Sequence, residues 1–170
     1  MFNKNKGFTL IELLIVIGII AILAAVVFVA LDPLTCFRDS RDSARWQDVT
    51  AVGEAIQVDQ VDNGGAYLAA IAALNAGEVY MISDGAMVAG CDDNNASRDT
   101  NVTDDDNCVD LAGLETEGYL GDVPISQSSG AVTWDAATEG TGYTLQRDAD
   151  GTITVRACES ENTTEILAVR

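Results

Sequence analysis

The side chains able to do chemistry in this 170-residue chain fall into three groups. Glu12 is the one ionisable residue in an otherwise apolar run from Phe8 to Leu31. Cys36, Cys91, Cys108 and Cys158 are four thiols, which admit three complete pairings if the chain is exported to an oxidising compartment. Buried thiols are the other reading, since the spacing fits no metal motif. Nearness in sequence favours a Cys91–Cys108 disulfide closing an acidic loop, with Cys36 and Cys158 as the remaining pair. That loop, Asp92 to Asp106, holds six aspartates with Asn94, Asn95 and Asn101 among them. Hard cations take about six to eight oxygen ligands, so calcium held by a set such as Asp92, Asp93, Asp104 and Asp106, joined by Asp148 or Asp150, is one reading. A solvated acidic loop is the other.

Much chemistry is excluded by what the chain lacks. With no histidine, the commonest general base and the commonest nitrogen ligand for zinc are both missing. No G-x-S-x-G, H-E-x-x-H, phosphate-binding glycine loop or C-x-x-C pair occurs, so no enzyme is expected. A formal charge of −18 and a pI near 4.1 argue against direct nucleic-acid binding. After residue 62 the only cations are Arg98, Arg147, Arg156 and Arg170, too few for a basic patch. Asn95-Ala96-Ser97 and Asn101-Val102-Thr103 fit a glycan acceptor pattern, though such triplets also arise by chance.

The element that positions Glu12 is the N-terminal segment. Residues 1–7 are short and polar, with Lys4 and Lys6 their only charges. The 24 residues that follow, Phe8 to Leu31, would span roughly 36 Å as a helix, enough to cross a bilayer. The two lysines hold the N-terminus on the cytoplasmic side and leave the body outside. A cleaved secretory signal peptide has a shorter apolar stretch and a small-residue cut site, and Ala-Leu-Asp-Pro at residues 30–33 is a poor one. A plain membrane anchor explains the length but not a carboxylate, which is costly inside a bilayer and rarely placed there without function.

The run from Lys6 to Ala24, Lys-Gly-Phe-Thr-Leu-Ile-Glu-Leu-Leu-Ile-Val-Ile-Gly-Ile-Ile-Ala-Ile-Leu-Ala, is similar to the N-terminal signature of type IV pilins and pseudopilins. The resemblance implies that a prepilin peptidase cuts between Gly7 and Phe8 and methylates the new amine of Phe8. It also implies that Glu12, fifth in the mature chain, serves assembly together with that amine. The physics agrees: a terminal amine has a reference pKa of about 7.7–8.0, so it is cationic near neutral pH. A neighbour's Phe8 amine can neutralise Glu12 inside an apolar core. Relatives often carry a proline near the position of Val29, whereas this chain has Asp32-Pro33, which predicts a bend or break there. Gly18 is the other weak point in the helix.

Beyond the apolar run, Trp46, Val49, Val52 or Gly53, and Ile56 recur at helical spacing, so residues 32–62 read as an amphipathic continuation packed on a head. Arg38, Arg41 and Arg45, interleaved with Asp39, Asp42 and Asp48, serve contacts between subunits or with lipid headgroups, or else form a solvated face. Asn63-Gly64-Gly65 ends the helix. The head, residues 63–170, is expected to hold short helices at Tyr67–Asn75 and Cys108–Glu117 and a loop-rich stretch at Gly85–Asn107. Strands are expected at Ala131–Trp134, Tyr143–Arg147 and Thr152–Ala157. Asp148-Ala149-Asp150-Gly151 is a hairpin signal between the last two. Tyr119-Leu120-Gly121-Asp122-Val123-Pro124 loosely resembles the tyrosine–proline turn before the sheet in pilin heads.

The expected architecture is therefore α+β: a long N-terminal helix, transmembrane then amphipathic, on a small antiparallel sheet. The expected role is a filament subunit, inserted in the membrane as a precursor and then assembled with copies of itself by a pilus assembly platform on the cell surface. Two other roles share the signal: a pseudopilin or minor pilin of a secretion or DNA-uptake fibre, and a membrane-tethered binding module that never polymerises.

Overall fold

A computed structural model describes residues 7–85, 102, 107–127, 133–135 and 140–170. The chain divides into two units, Met1–Arg38 and Asp39–Arg170.

In the first unit, α1 runs from Leu10 to Leu31. It is apolar on every side and none of its residues is buried within the chain. A helix of this kind is stable only where something other than water surrounds it. Its 22 residues make it about 33 Å long, and by length and composition it can cross a membrane. Gly18 does not interrupt it. It stops at Asp32, which takes the left-handed conformation (φ 37°), and Pro33 opens α2, Pro33–Asp62. Proline is at home in a first helical turn because its missing N–H would have had no partner there. Thr35 donates to the Asp32 carboxylate at 2.7 Å, which fixes the junction. The expected break is thus present.

The second unit takes α2 from Asp39 onward. Val49, Val52, Ala55 and Ile56 turn inward, whereas Trp46 is 42% exposed and stands outside the core it was expected to join. Asn63-Gly64-Gly65 does end the helix: the Gly65 N–H returns to the Gln60 carbonyl, and both glycines have positive φ. The buried Asp59 carboxylate fastens this corner by accepting from the Asn63 amide at 2.7 Å and the Leu68 N–H at 2.8 Å.

Five strands form one sheet in the order β2-β1-β3-β4-β5: β1 Val79–Ser83, β2 Cys108–Asp110, β3 Tyr143–Arg147, β4 Ile153–Ala157 and β5 Leu167–Val169. The sheet is mixed rather than purely antiparallel, because β2 runs parallel to β1 with Met81 opposite Cys108. Side chains alternate faces along each strand. Tyr80, Ile82, Val109, Tyr143, Leu145, Ile153, Val155 and Ala168 join the buried face of α2 in the main core. On the other face Met81, Trp134 and Cys158 form a smaller cluster. Gly142 lies under that cluster at φ 81°, where a Cβ would come within 2.6 Å of the Trp134 ring. The β3–β4 hairpin closes through the Asp148–Gly151 turn as expected, with the Gly151 N–H donating to the Asp148 carbonyl.

Other expectations are corrected. Cys108–Asp110 is a strand, and only Ala112–Thr116 of that stretch is helical, as α4. The Tyr67–Asn75 helix shrinks to α3, Ala69–Ala72. Thr133 and Trp134 are not in a strand, and Asp135 makes an isolated bridge to Gly140. Strands β1 and β5 were not foreseen.

In the arginine stripe Arg38 is exposed, but Arg41 and Arg45 do not belong to a solvated face. Arg45 is fully buried, and all of its five N–H donors are engaged. They reach Asp42 Oδ1 (2.9 Å), Glu161 Oε1 (3.1 Å), Glu159 Oε2 (3.3 Å), the Gln127 carbonyl (2.9 Å) and Ser126 Oγ (3.1 Å). Arg41 forks onto both oxygens of Glu161. Asp42 in turn accepts the backbone N–H groups of Glu161, Asn162 and Thr163. Burial alone would raise the Asp42 pKa, but these amides and Arg45 outweigh it and hold the carboxylate below its usual range. Arg41 foremost, against some burial, does the same for Glu161. Groups with depressed pKa values stabilise the fold fully above the unfolded carboxylate range, about pH 4, and lose that contribution as pH falls through the lower folded values.

Two outcomes follow, both readable in thermal melts of the detergent-solubilised chain. Arg45→Ala strands buried carboxylates and should cost about 3–5 kcal/mol. Asp42→Asn should lower stability near neutral pH and flatten its decline below about pH 4. A melting curve unmoved by Arg45→Ala would remove the network from any structural role.

Candidate functional site: the capped carboxylate of the apolar helix

The site is built from the start of α1. Gly7 and Phe8 precede the helix outside any regular element, and Phe8 is 81% exposed. A Cβ at Gly7 would meet nothing within 4 Å, so the Gly7–Phe8 peptide bond is sterically open. Thr9 is the N-cap, with φ −79° and ψ 152°. Its hydroxyl accepts from the Glu12 N–H at 3.3 Å. Glu12, at the third helical position, reaches back: its Oε2 accepts the Thr9 N–H at 2.8 Å and the Thr9 hydroxyl at 2.6 Å.

This reciprocal capping box satisfies two helix-end donors and holds a negative charge at the positive end of the helix dipole. The Thr-x-x-Glu spacing ahead of an apolar run spells it in the sequence, so Thr9 is a site residue that sequence reading could have named. The geometry fixes Glu12 Oε2 beside the second residue after the Gly7–Phe8 bond.

The rest of α1 offers shape rather than chemistry. Ile20, Leu23, Ala24, Val27, Phe28 and Leu31 line one shallow apolar groove, and Ala25, Val26, Val29 and Ala30 another. Alternating large and small side chains of this kind accept the ridges of another helix or lipid tails.

The other expected sites fare differently. Cys91, Asp92, Asp93, Asp104 and Asp106 lie outside the described residues. Asp148 and Asp150 are engaged in their own turn: Asp150 accepts from the Thr152 N–H at 3.0 Å and Asp148 from the Gln146 amide at 2.8 Å. The Cys36–Cys158 link is not made. Cys36 is exposed in the first turn of α2, whereas Cys158 is buried beside Met81 and Trp134, and a disulfide needs sulfurs about 2 Å apart. A carboxylate trio not foreseen in the sequence, Asp84, Glu115 and Asp122, has oxygens within 4.8 Å of one another. Its members are 31 and 7 residues apart in the chain, so no local motif announces it.

The family model described as the prokaryotic N-terminal methylation motif matches residues 2–28. No curated protein and no solved structure shows significant similarity to the chain. The matched span covers the leader, the Gly7–Phe8 junction, the Thr9–Glu12 cap and most of α1. Together with an apolar helix long enough to span a bilayer, it fits membrane insertion as a precursor and processing by a prepilin peptidase. Residues 2–28 carry the prepilin-type signal of type IV pilins and pseudopilins.

Proposed function

We propose that this chain is a structural, non-catalytic subunit of an extracellular type IV pilus-like filament. It enters the membrane as a precursor, is cut between Gly7 and Phe8, and is passed to an assembly platform that packs its α1 helix against copies of itself. One observation carries the reading: an uncovered apolar helix holds a single carboxylate, and that carboxylate sits beside the bond that processing opens. A membrane anchor needs the helix but not Glu12. A polymer needs both, because a charge in an apolar core is tolerated only when a partner neutralises it.

The Phe8 terminus suits that role, the other cations of the mature chain being arginines from residue 38 onward. Lys4 and Lys6, both in the leader, are the only lysines, so after cleavage the Phe8 terminus is the only aliphatic amine in the chain. The leader must go, because it blocks this amine and would carry two extra cations into the core. The exposed Gly7–Phe8 bond suits an external peptidase.

A Cys91–Cys108 disulfide belongs to the same proposal, as the closure of the acidic loop. Cys158 is a poor partner for Cys108. It follows β4, three strand spacings or about 14 Å from β2, beyond the reach of about 7 Å between bridged Cα atoms.

Three outcomes are expected. Intact-mass measurement of native subunits should give a chain beginning at Phe8 with one added methyl; subunits retaining residues 1–7 in fibres would refute the processing step. Glu12→Ala should insert into membranes at normal levels yet yield no surface fibres by electron microscopy, and wild-type fibre from that variant would show that apolar packing alone suffices. Non-reducing peptide mapping should join Cys91 to Cys108, and recovery of a Cys91–Cys158 peptide would overturn that pairing.

A further inference from the structure

The second unit carries an unusual charge imbalance. From Asp39 to Arg170 the sequence holds 25 acidic residues against six arginines, with no lysine and no histidine. The described arginines are already committed. Arg41 and Arg45 serve the buried network, Arg156 pairs with Glu165 at 3.0 Å, and Arg147 and Arg170 donate to backbone carbonyls. Six cations cannot neutralise 25 anions in any arrangement, so a large net negative charge sits on one small fold. The crowding has a local focus at Asp84, Glu115 and Asp122, whose oxygens converge within 4.8 Å while no described cation is placed among them. Glu115 is held there because it accepts the Val123 N–H, while Asp84 and Asp122 are exposed.

Salt acts on such a molecule with two opposite signs. Screening weakens attractive ion pairs, which lowers stability, and weakens repulsion, which raises it. The attractive pairs here are centred on Arg45, which is fully buried and therefore poorly screened. Among the described residues, ten of the 18 acids of this unit are exposed, where screening is most effective. Repulsion therefore dominates the salt response.

We infer that this head is electrostatically frustrated at low ionic strength, and that its fold, together with head–head packing in any assembly, depends on screening by ordinary dissolved cations. The packing half rests on the filament reading above; the fold half stands without it. When heads are packed side by side, each brings the same excess of negative charge to the contact, which six arginines cannot offset. The ligand class is a diffuse cloud of monovalent cations rather than an ion in a shaped site. The chain is thereby suited to a saline medium.

The test is a set of melting curves of the full processed chain in non-ionic detergent, from about 0.01 M to about 0.3 M sodium chloride, over which the Debye length shrinks from about 30 Å to less than about 10 Å. Tm should rise by several degrees, and choline chloride at equal ionic strength should give the same rise, since screening is blind to ion identity. Asp122→Asn, which thins the carboxylate trio, should raise Tm at the low-salt end and shrink the salt response. A Tm that is flat or falls with salt overturns the inference. So does a rise produced by calcium but not by sodium or choline, which would mean a specific site, and so does a lower low-salt Tm in Asp122→Asn. Sheared fibres, dialysed from 0.3 M to 0.01 M salt, should dissociate, and fibres that persist overturn the packing half. If no fibres form at any salt, the filament reading fails while the melting curves still decide the fold half.

Discussion

A helix that is apolar on every side has to be covered by something other than water, and no residue of α1 is buried among the described residues. Two environments would suit it, a bilayer and the apolar flanks of other helices. Glu12 is the residue that tells them apart. Its carboxylate is held by its own Thr9 at the N-terminal end of the helix. On the filament reading, a neighbour's amine adds a full opposite charge that lipid cannot supply. On that reading the cap holds the carboxylate in place until the partner arrives.

The second unit solves a different problem with a different device. Its sheet buries one face under α2 in an ordinary apolar core, yet α2 is fastened to the β4–β5 connection by ions rather than by oil. Arg45 spends every donor inward, and the Asp42 carboxylate fills a cup of three consecutive backbone amides, an anion-binding arrangement of the kind seen at phosphate sites. Such a lock adds orientation that apolar packing lacks, since five directed hydrogen bonds admit one register of helix against loop.

How much of this could be read from the chain depended on whether the signal was local. The Phe8–Leu31 helix, its end at Asp32-Pro33 and the Asn63-Gly64-Gly65 stop are each written in adjacent residues, and all three are present. So is the β3–β4 hairpin, where alternation and an Asp-Gly turn coincide. Strand β1 escaped notice because four of its five residues, Tyr80 to Ser83, are buried on both faces and show no alternation. Strands β2 and β5 have three residues each, and their character comes from the partners they pair with, Met81 to Ser83 and Thr154 to Arg156. Arg45 looked like a surface residue because its acceptors Glu159 and Glu161 lie 114 and 116 residues away. Of the candidate site, the cleavage junction and Glu12 were legible, as was Thr9 in principle. The carboxylate trio and the arginine lock were not, because only the folded topology brings them together.

The central claim is that Glu12 and the Phe8 amine pair between subunits within an apolar core of α1 helices. A helical reconstruction of native fibres by electron cryomicroscopy tests it most directly. The account places the Phe8 nitrogen of one subunit within about 4 Å of a Glu12 carboxylate oxygen of another, the usual limit for an ion pair. Fibres in which α1 lies outside the core, or in which Glu12 remains on its own Thr9 with the amine of every neighbour out of reach, would contradict it.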